Sequence, residues 1–213
     1  MTPQSRLEKT LEAVAQQHGG LLDFGKLGQC MGISGTAAKQ RIAGLEAAGL
    51  VRLLPAPCRA GEKKNVRKPR LFLKQCREIR ATLIEEIMAR ERLVHPSSRF
   101  FHYTKYSGLS VDLIVERADY RIGIQFNVPP RYSFGRYRSL RFAVRKRVIE
   151  RGFVLHYTYS AFFTGRGTMA VPLLPFLSAY EHWTDGAKRI RDLRILMCWI
   201  NAASAGARQE ACL

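Results

Sequence analysis

Gly20-Leu21-Leu22-Asp23-Phe24-Gly25-Lys26 has the G-x-x-x-x-G-K spacing of a loop that cradles phosphates. Such a loop next needs Ser or Thr, whose hydroxyl holds magnesium, and here Leu27 follows. The stretch also lies between two helical patterns, not between a strand and a helix, so nucleotide binding is not expected from it. Cys30, Cys58, Cys76, Cys198 and Cys212 are odd in number and form no C-x-x-C pair. His18, His95, His102, His156 and His182 show no H-x-x-x-H spacing. Neither a structural zinc site nor a disulfide framework is expected. Reduced thiols and the absence of an apolar leader point to a cytoplasmic protein. No run is long enough and apolar enough for a membrane span.

The cations are what can do chemistry. Over 213 residues the formal charge is +18, and it is clustered. Residues 51–80 hold ten cations against two anions, and residues 131–166 hold nine against one. Residues 81–130 are neutral, with six of each. Clusters of this kind suit a polyanion, because each Lys or Arg that meets a phosphate releases counterions. Nucleic acid is the expected partner, and a membrane is not.

The elements that position these cations follow from spacing. Leu7, Leu11 and Val14 predict a helix over 5–18, stopped by Gly19-Gly20. Asp23 is placed to cap a second helix over 24–31, with Phe24, Leu27 and Met31 inward. Gly32 supplies a turn, and Ser34 caps a third helix over 35–48, with Ala38, Ile42 and Leu45 inward. Two helices joined by a glycine turn form a helix-turn-helix pattern. The outward face of the third helix carries Thr36, Lys39, Gln40 and Arg41, side chains able to meet base edges or phosphates. A branched run, Leu50–Pro55, and a second strand near Arg67–Leu73 then make a basic hairpin, the wing of a winged helix. Lys63, Lys64, Arg67, Lys68 and Arg70 fall in it and suit phosphate contact. The domain boundary is expected at 77/78.

Beyond it the pattern predicts a helix over 78–94 and strands over Arg99–Tyr106, Leu109–Glu116 and Tyr120–Asn127. Strict alternation sets Leu109, Val111, Leu113 and Val115 opposite Ser110, Asp112, Ile114 and Glu116. Gln125 and Asn127 share a face. A helix over 135–151 follows, with Tyr137, Leu140, Val144 and Val148 on one stripe. Arg138, Arg141 and Arg145 form another, flanked by Lys146 and Arg147. Strands over 153–159 and 168–174 come next, then an apolar helix near 187–203 that packs on the sheet or on a second copy.

Helix, three strands, helix, strand resembles the PD-(D/E)XK restriction-endonuclease-like fold. The resemblance implies an α+β protein: a winged helix-turn-helix over 1–77, then an αβββαβ domain with a mixed sheet over 78–213. It puts Asp112 at the family's Asp position, Glu85 or Glu86 near its helix Glu, and Gln125-Phe126-Asn127 where acid-x-Lys belongs. In that family the acids hold magnesium and the Lys orients water. Here Gln125 and Asn127 are neutral, so one acidic ligand and the cation are lost, and Asp112 is the one metal ligand left on the strands. The layout from Leu53-Leu54-Pro55-Ala56-Pro57 through Arg67–Leu73, Ser110–Val115, Gly152–Leu155 and Val171–Leu174 also resembles a module of unknown function. It is the winged-helix plus endonuclease-like C-terminal module of prokaryotic AAA-type ATPases, here without the ATPase. That family implies nucleic-acid association.

The expected function is therefore regulatory binding of double-stranded DNA, with a catalytically degenerate endonuclease-like domain as a second basic surface and no cofactor. The alternatives are a magnesium-dependent nuclease with an unorthodox site, and a protein-interaction module that dimerises or recruits a partner ATPase.

Overall fold

The computed structural model describes residues 3–57, 66–74, 78–118, 120–128, 135–157 and 160–180. Lys63, Lys64 and the helix expected near 187–203 lie outside them. The fold is mixed α+β, with six helices and a mixed sheet among the described residues. No helix among them is long and apolar enough to cross a membrane. Contacts divide the chain into Met1–Leu83 and Ile84–Leu213.

In the first unit, α1 (Pro3–Gln16), α2 (Phe24–Met31) and α3 (Gly35–Ala47) precede a two-stranded antiparallel sheet of β1 (Val51–Leu54) and β2 (Arg70–Leu73). The caps form as the residue types demand. The Asp23 side chain accepts from Lys26 N at 3.1 Å, and Ser34 Oγ accepts from Ala37 N at 3.1 Å. Gly32 takes the left-handed conformation (φ 67°) that a Cβ would oppose, and so ends α2. The core joins Val14, Leu22, Leu27, Met31, Ala38, Ile42, Leu45, Val51 and Leu71. The second strand is shorter than expected. It begins at Arg70 because Pro69 has no N–H for a ladder.

The second unit holds most of α4 (Ile79–Val94) and a six-stranded sheet of order β3-β4-β5-β6-β8-β7. Its strands are β3 (Arg99–Thr104), β4 (Ser110–Glu116), β5 (Arg121–Asn127), β6 (Arg151–His156), β7 (Phe162–Gly165) and β8 (Thr168–Pro172). The β3–β4, β4–β5 and β7–β8 pairs are antiparallel, whereas β5–β6 and β6–β8 are parallel. Helix α5 (Gly135–Arg145) leads into β6, and α6 (Leu173–Ser178) follows β8. The edge strand β7 and helix α6 were not expected from the pattern.

Two expectations fail here. The alternation along β4 breaks at a bulge. Phe101 pairs with Ile114 but Tyr103 pairs with Val111, so β4 carries one extra residue between them. Val111 and Ile114 consequently share the core with Leu140, Ala143, Val154 and Ala170 instead of facing apart. The helix expected to reach Arg151 stops at Arg145. Arg147 adopts φ 54°, and Val148 N returns to Ala143 O at 2.9 Å, a left-handed stop that frees Val148 and Ile149 to enter the core.

Candidate functional site

The β4 bulge places Asp112, which is buried, beside the middle of β5. Its Oδ2 accepts from Gln125 Nε2 at 2.8 Å, Phe126 N at 3.1 Å and Arg136 Nη1 at 3.2 Å. Gly123 shows which side of the sheet this is. A Cβ there would run into Ile149 and Leu140, the packing of α5. Gln125 and Asn127, two and four residues on, therefore face α5, and Asn127 Nδ2 donates to the Tyr137 hydroxyl at 3.3 Å. In the neighbouring strand His156 pairs with Asn127 in parallel register and points to the same side. The expected trio Asp112, Gln125 and Asn127 thus converges under the first turn of α5. Two partners were not foreseen from sequence, Arg136 and Tyr137, because they belong to α5 and meet the strands only through the fold.

The acidic helix residues contribute differently. Glu86 Oε1 accepts from Arg90 Nε at 2.6 Å one turn along α4, and Arg90 Nη1 donates to Leu177 O. Glu85 is half-buried on the same helix. Among the described residues no three His, Cys, Asp or Glu side chains are grouped to hold a metal ion. The donor set around Asp112 does not fit magnesium. Hard divalent ions need several charged oxygens, whereas Asp112 faces two neutral amides and a guanidinium. Arg136 supplies the positive charge from within the chain.

Among the described residues the most deeply buried acid is Glu91, fully shielded from solvent. Arg117 grips it with two bonds of 2.7 Å, Ser98 Oγ donates at 2.6 Å and the Tyr180 hydroxyl at 2.7 Å. Burial alone would raise its carboxyl, but these donors outweigh it and hold the group below its usual range. Burial and the adjacent Glu91 push the Tyr180 hydroxyl up. Burial also holds the His156 imidazole below its ordinary value. Nothing in the residue spacing announces the Glu91 cluster, whose members come from α4, the turn after it, the residue following β4 and the segment after α6.

The cations differ in exposure. Arg138, Arg141, Arg145, Lys146 and Arg147 are all exposed along α5 and its end. Glu150, the lone anion of residues 131–166, is already engaged, accepting from Arg121 N at 2.7 Å. In the first unit Ser34, Thr36, Lys39 and Gln40 are exposed at the start of α3. Arg41 is not fully displayed: it is half-buried, with Nη1 3.4 Å from Thr10 Oγ1 of α1. Arg67 is exposed, but Lys68 is paired with Asp23 at 2.5 Å, which lowers the Asp23 carboxyl. Arg70 corrects the sequence expectation: at 8% exposure it is buried in the small sheet opposite Leu54, so it belongs to the packing and not to a phosphate-facing surface.

No family model, no curated protein and no solved structure matches the chain.

Proposed function

We propose that this is a DNA-binding protein, built as a winged helix-turn-helix unit followed by an endonuclease-like domain that has lost catalysis and serves as a second basic surface. The observation that carries the reading is the row of five exposed cations on α5 and its end, in a stretch whose one anion is already engaged. A solvated helix that needed charge only for solubility would interleave both signs. In the first unit, the capped turn between α2 and α3 supports the reading, as do the exposed Thr36, Lys39 and Gln40 at the start of α3. The start of that helix is the part that enters a major groove in helix-turn-helix proteins. Exposed Arg67 suits a phosphate backbone beside it.

Loss of catalysis is supported by the surroundings of Asp112. On the resemblance, Gln125 and Asn127 fall at the acid and Lys positions, and Asp112 Oδ2 accepts from Gln125 and Arg136. The test joins binding and cleavage. Duplex DNA should bind at low salt and release steeply as salt rises. Supercoiled plasmid with magnesium should stay uncut by the wild type and by Asp112→Ala alike. Cleavage that depends on magnesium and disappears in Asp112→Ala would replace this reading with the nuclease one. Undetectable DNA binding at low salt would leave a protein-interaction module.

A further inference from the structure

Edge strand β7 carries two exposed phenylalanines, Phe162 and Phe163, beside the basic helix. Phe162 pairs with Ala170, which belongs to the core beneath α5, so its ring lies on the α5 side. There it completes a row of three rings. Its centroid is 6.4 Å from Tyr137 and 5.6 Å from His156, and both neighbours are tilted by about 35° (36° and 35°). His156 is buried and Tyr137 half-buried, whereas Phe162 keeps 44% of its surface exposed. At the far end of the same strand Gly165 lies under Arg141: a Cβ there would stand 2.6 Å from Arg141 Cδ. One short strand therefore runs from an exposed aromatic face to an Arg side chain of the cationic row.

We propose that this α5–β7 edge holds single-stranded nucleic acid, with an unpaired base stacked on Phe162 and flanking phosphates taken by Arg141 and Arg138. The inference rests on the DNA-binding reading and adds to it the kind of strand this surface prefers. Alternation of a stacking ring with cations is the chemistry of single-strand grooves, where every base offers a π-face and the backbone offers charge. A regular duplex hides its base faces and has no use for an exposed ring at this position. A second copy of the chain is disfavoured as occupant, because Arg138, Arg141, Arg145, Lys146 and Arg147 would oppose their own counterparts.

The experiment measures fluorescence anisotropy of a labelled oligothymidine and of a duplex of equal length with the full chain. Wild type should bind the single strand more tightly. Phe162→Leu keeps apolar volume but removes the ring, and should weaken single-strand binding about tenfold, within the range for one lost base stack, while duplex binding stays within about twofold. Arg141→Gln should weaken both and lower their salt dependence. Phe162→Trp, which keeps a stacking face, should retain single-strand binding and show indole emission quenched by oligothymidine beyond that of wild type, which carries Trp183 and Trp199. The proposal is overturned if Phe162→Leu binds oligothymidine like wild type, if Phe162→Trp shows no quenching beyond that of wild type, or if Phe162→Leu instead dissociates a dimer. Should Arg141→Gln still weaken duplex binding in those cases, the basic-surface reading survives. Failure of wild type to bind either form would remove both.

Discussion

Glu91 shows how much a single buried charge can fix. A carboxylate without solvent is tolerable only because Arg117 meets it with two parallel bonds while Ser98 and Tyr180 fill the remaining directions. Glu91→Gln leaves the Arg117 guanidinium buried against a neutral amide, and should cost about 3–5 kcal/mol in urea denaturation. The two depressed groups set two separate pH windows. The Glu91 carboxyl titrates lower in the folded than in the unfolded chain, so its contribution is present above the ordinary value of 4.5 and fades as pH falls through the folded value. His156 is also depressed, from 6.5, so the unfolded chain takes up that proton first. Stability should therefore begin to fall below about pH 6.5 as His156 protonates on unfolding, and again in acid. His156→Gln should flatten the first step and leave the second, as read from melting temperature against pH.

At the scale of elements, glycine spacing matters where two backbones approach. Gly28 lies within α2, and a Cβ there would stand 2.6 Å from Ile33 O and 3.0 Å from the Ser34 carbonyl carbon. Gly28→Ala must push the turn before α3 outward, with an expected loss of about 1–3 kcal/mol in the first unit and weaker duplex binding if α3 is the reading helix. Normal stability in that variant would show that the turn yields without cost. The caps at Asp23 and Ser34 and the span of α2 were legible in the sequence, because capping is local chemistry between neighbours. What was not legible is non-local. The β4 bulge is visible only against β3, and it decides that Val111 and Ile114 share a side and that Asp112 reaches Phe126 N. The end of α5 was missed because Arg147 at φ 54° carries none of the glycine signal that usually marks such a stop. Gln125 and Asn127 share a face because period-two geometry holds along an unbulged strand. Their partner Arg136 could not be read from it.

For the whole molecule, the +18 charge resolves into two basic segments separated by a neutral one. The structure refines the first of these. Burial removes Arg70 from the phosphate-facing set, and pairing with Asp23 partly occupies Lys68. The second segment keeps Arg138, Arg141, Arg145, Lys146 and Arg147 exposed on α5 and just beyond it, whereas Arg136 turns inward to Asp112. If both surfaces engage one duplex, their counterion terms add, since each neutralised phosphate contributes independently to the salt slope. Replacing Arg138, Arg141 and Arg145 with Gln should then reduce the slope of log affinity against log salt by about 0.9 for each residue lost. The change should be the same for every DNA sequence, because phosphate contacts carry no sequence information. Lys39→Ala on α3 should act in the opposite pattern, changing the ranking of sequences while moving the slope by at most about one unit. An α5 triple variant with an unaltered slope would mean that this face does not meet the backbone. The binding charge would then have to lie on the first unit and on cations other than those of α5.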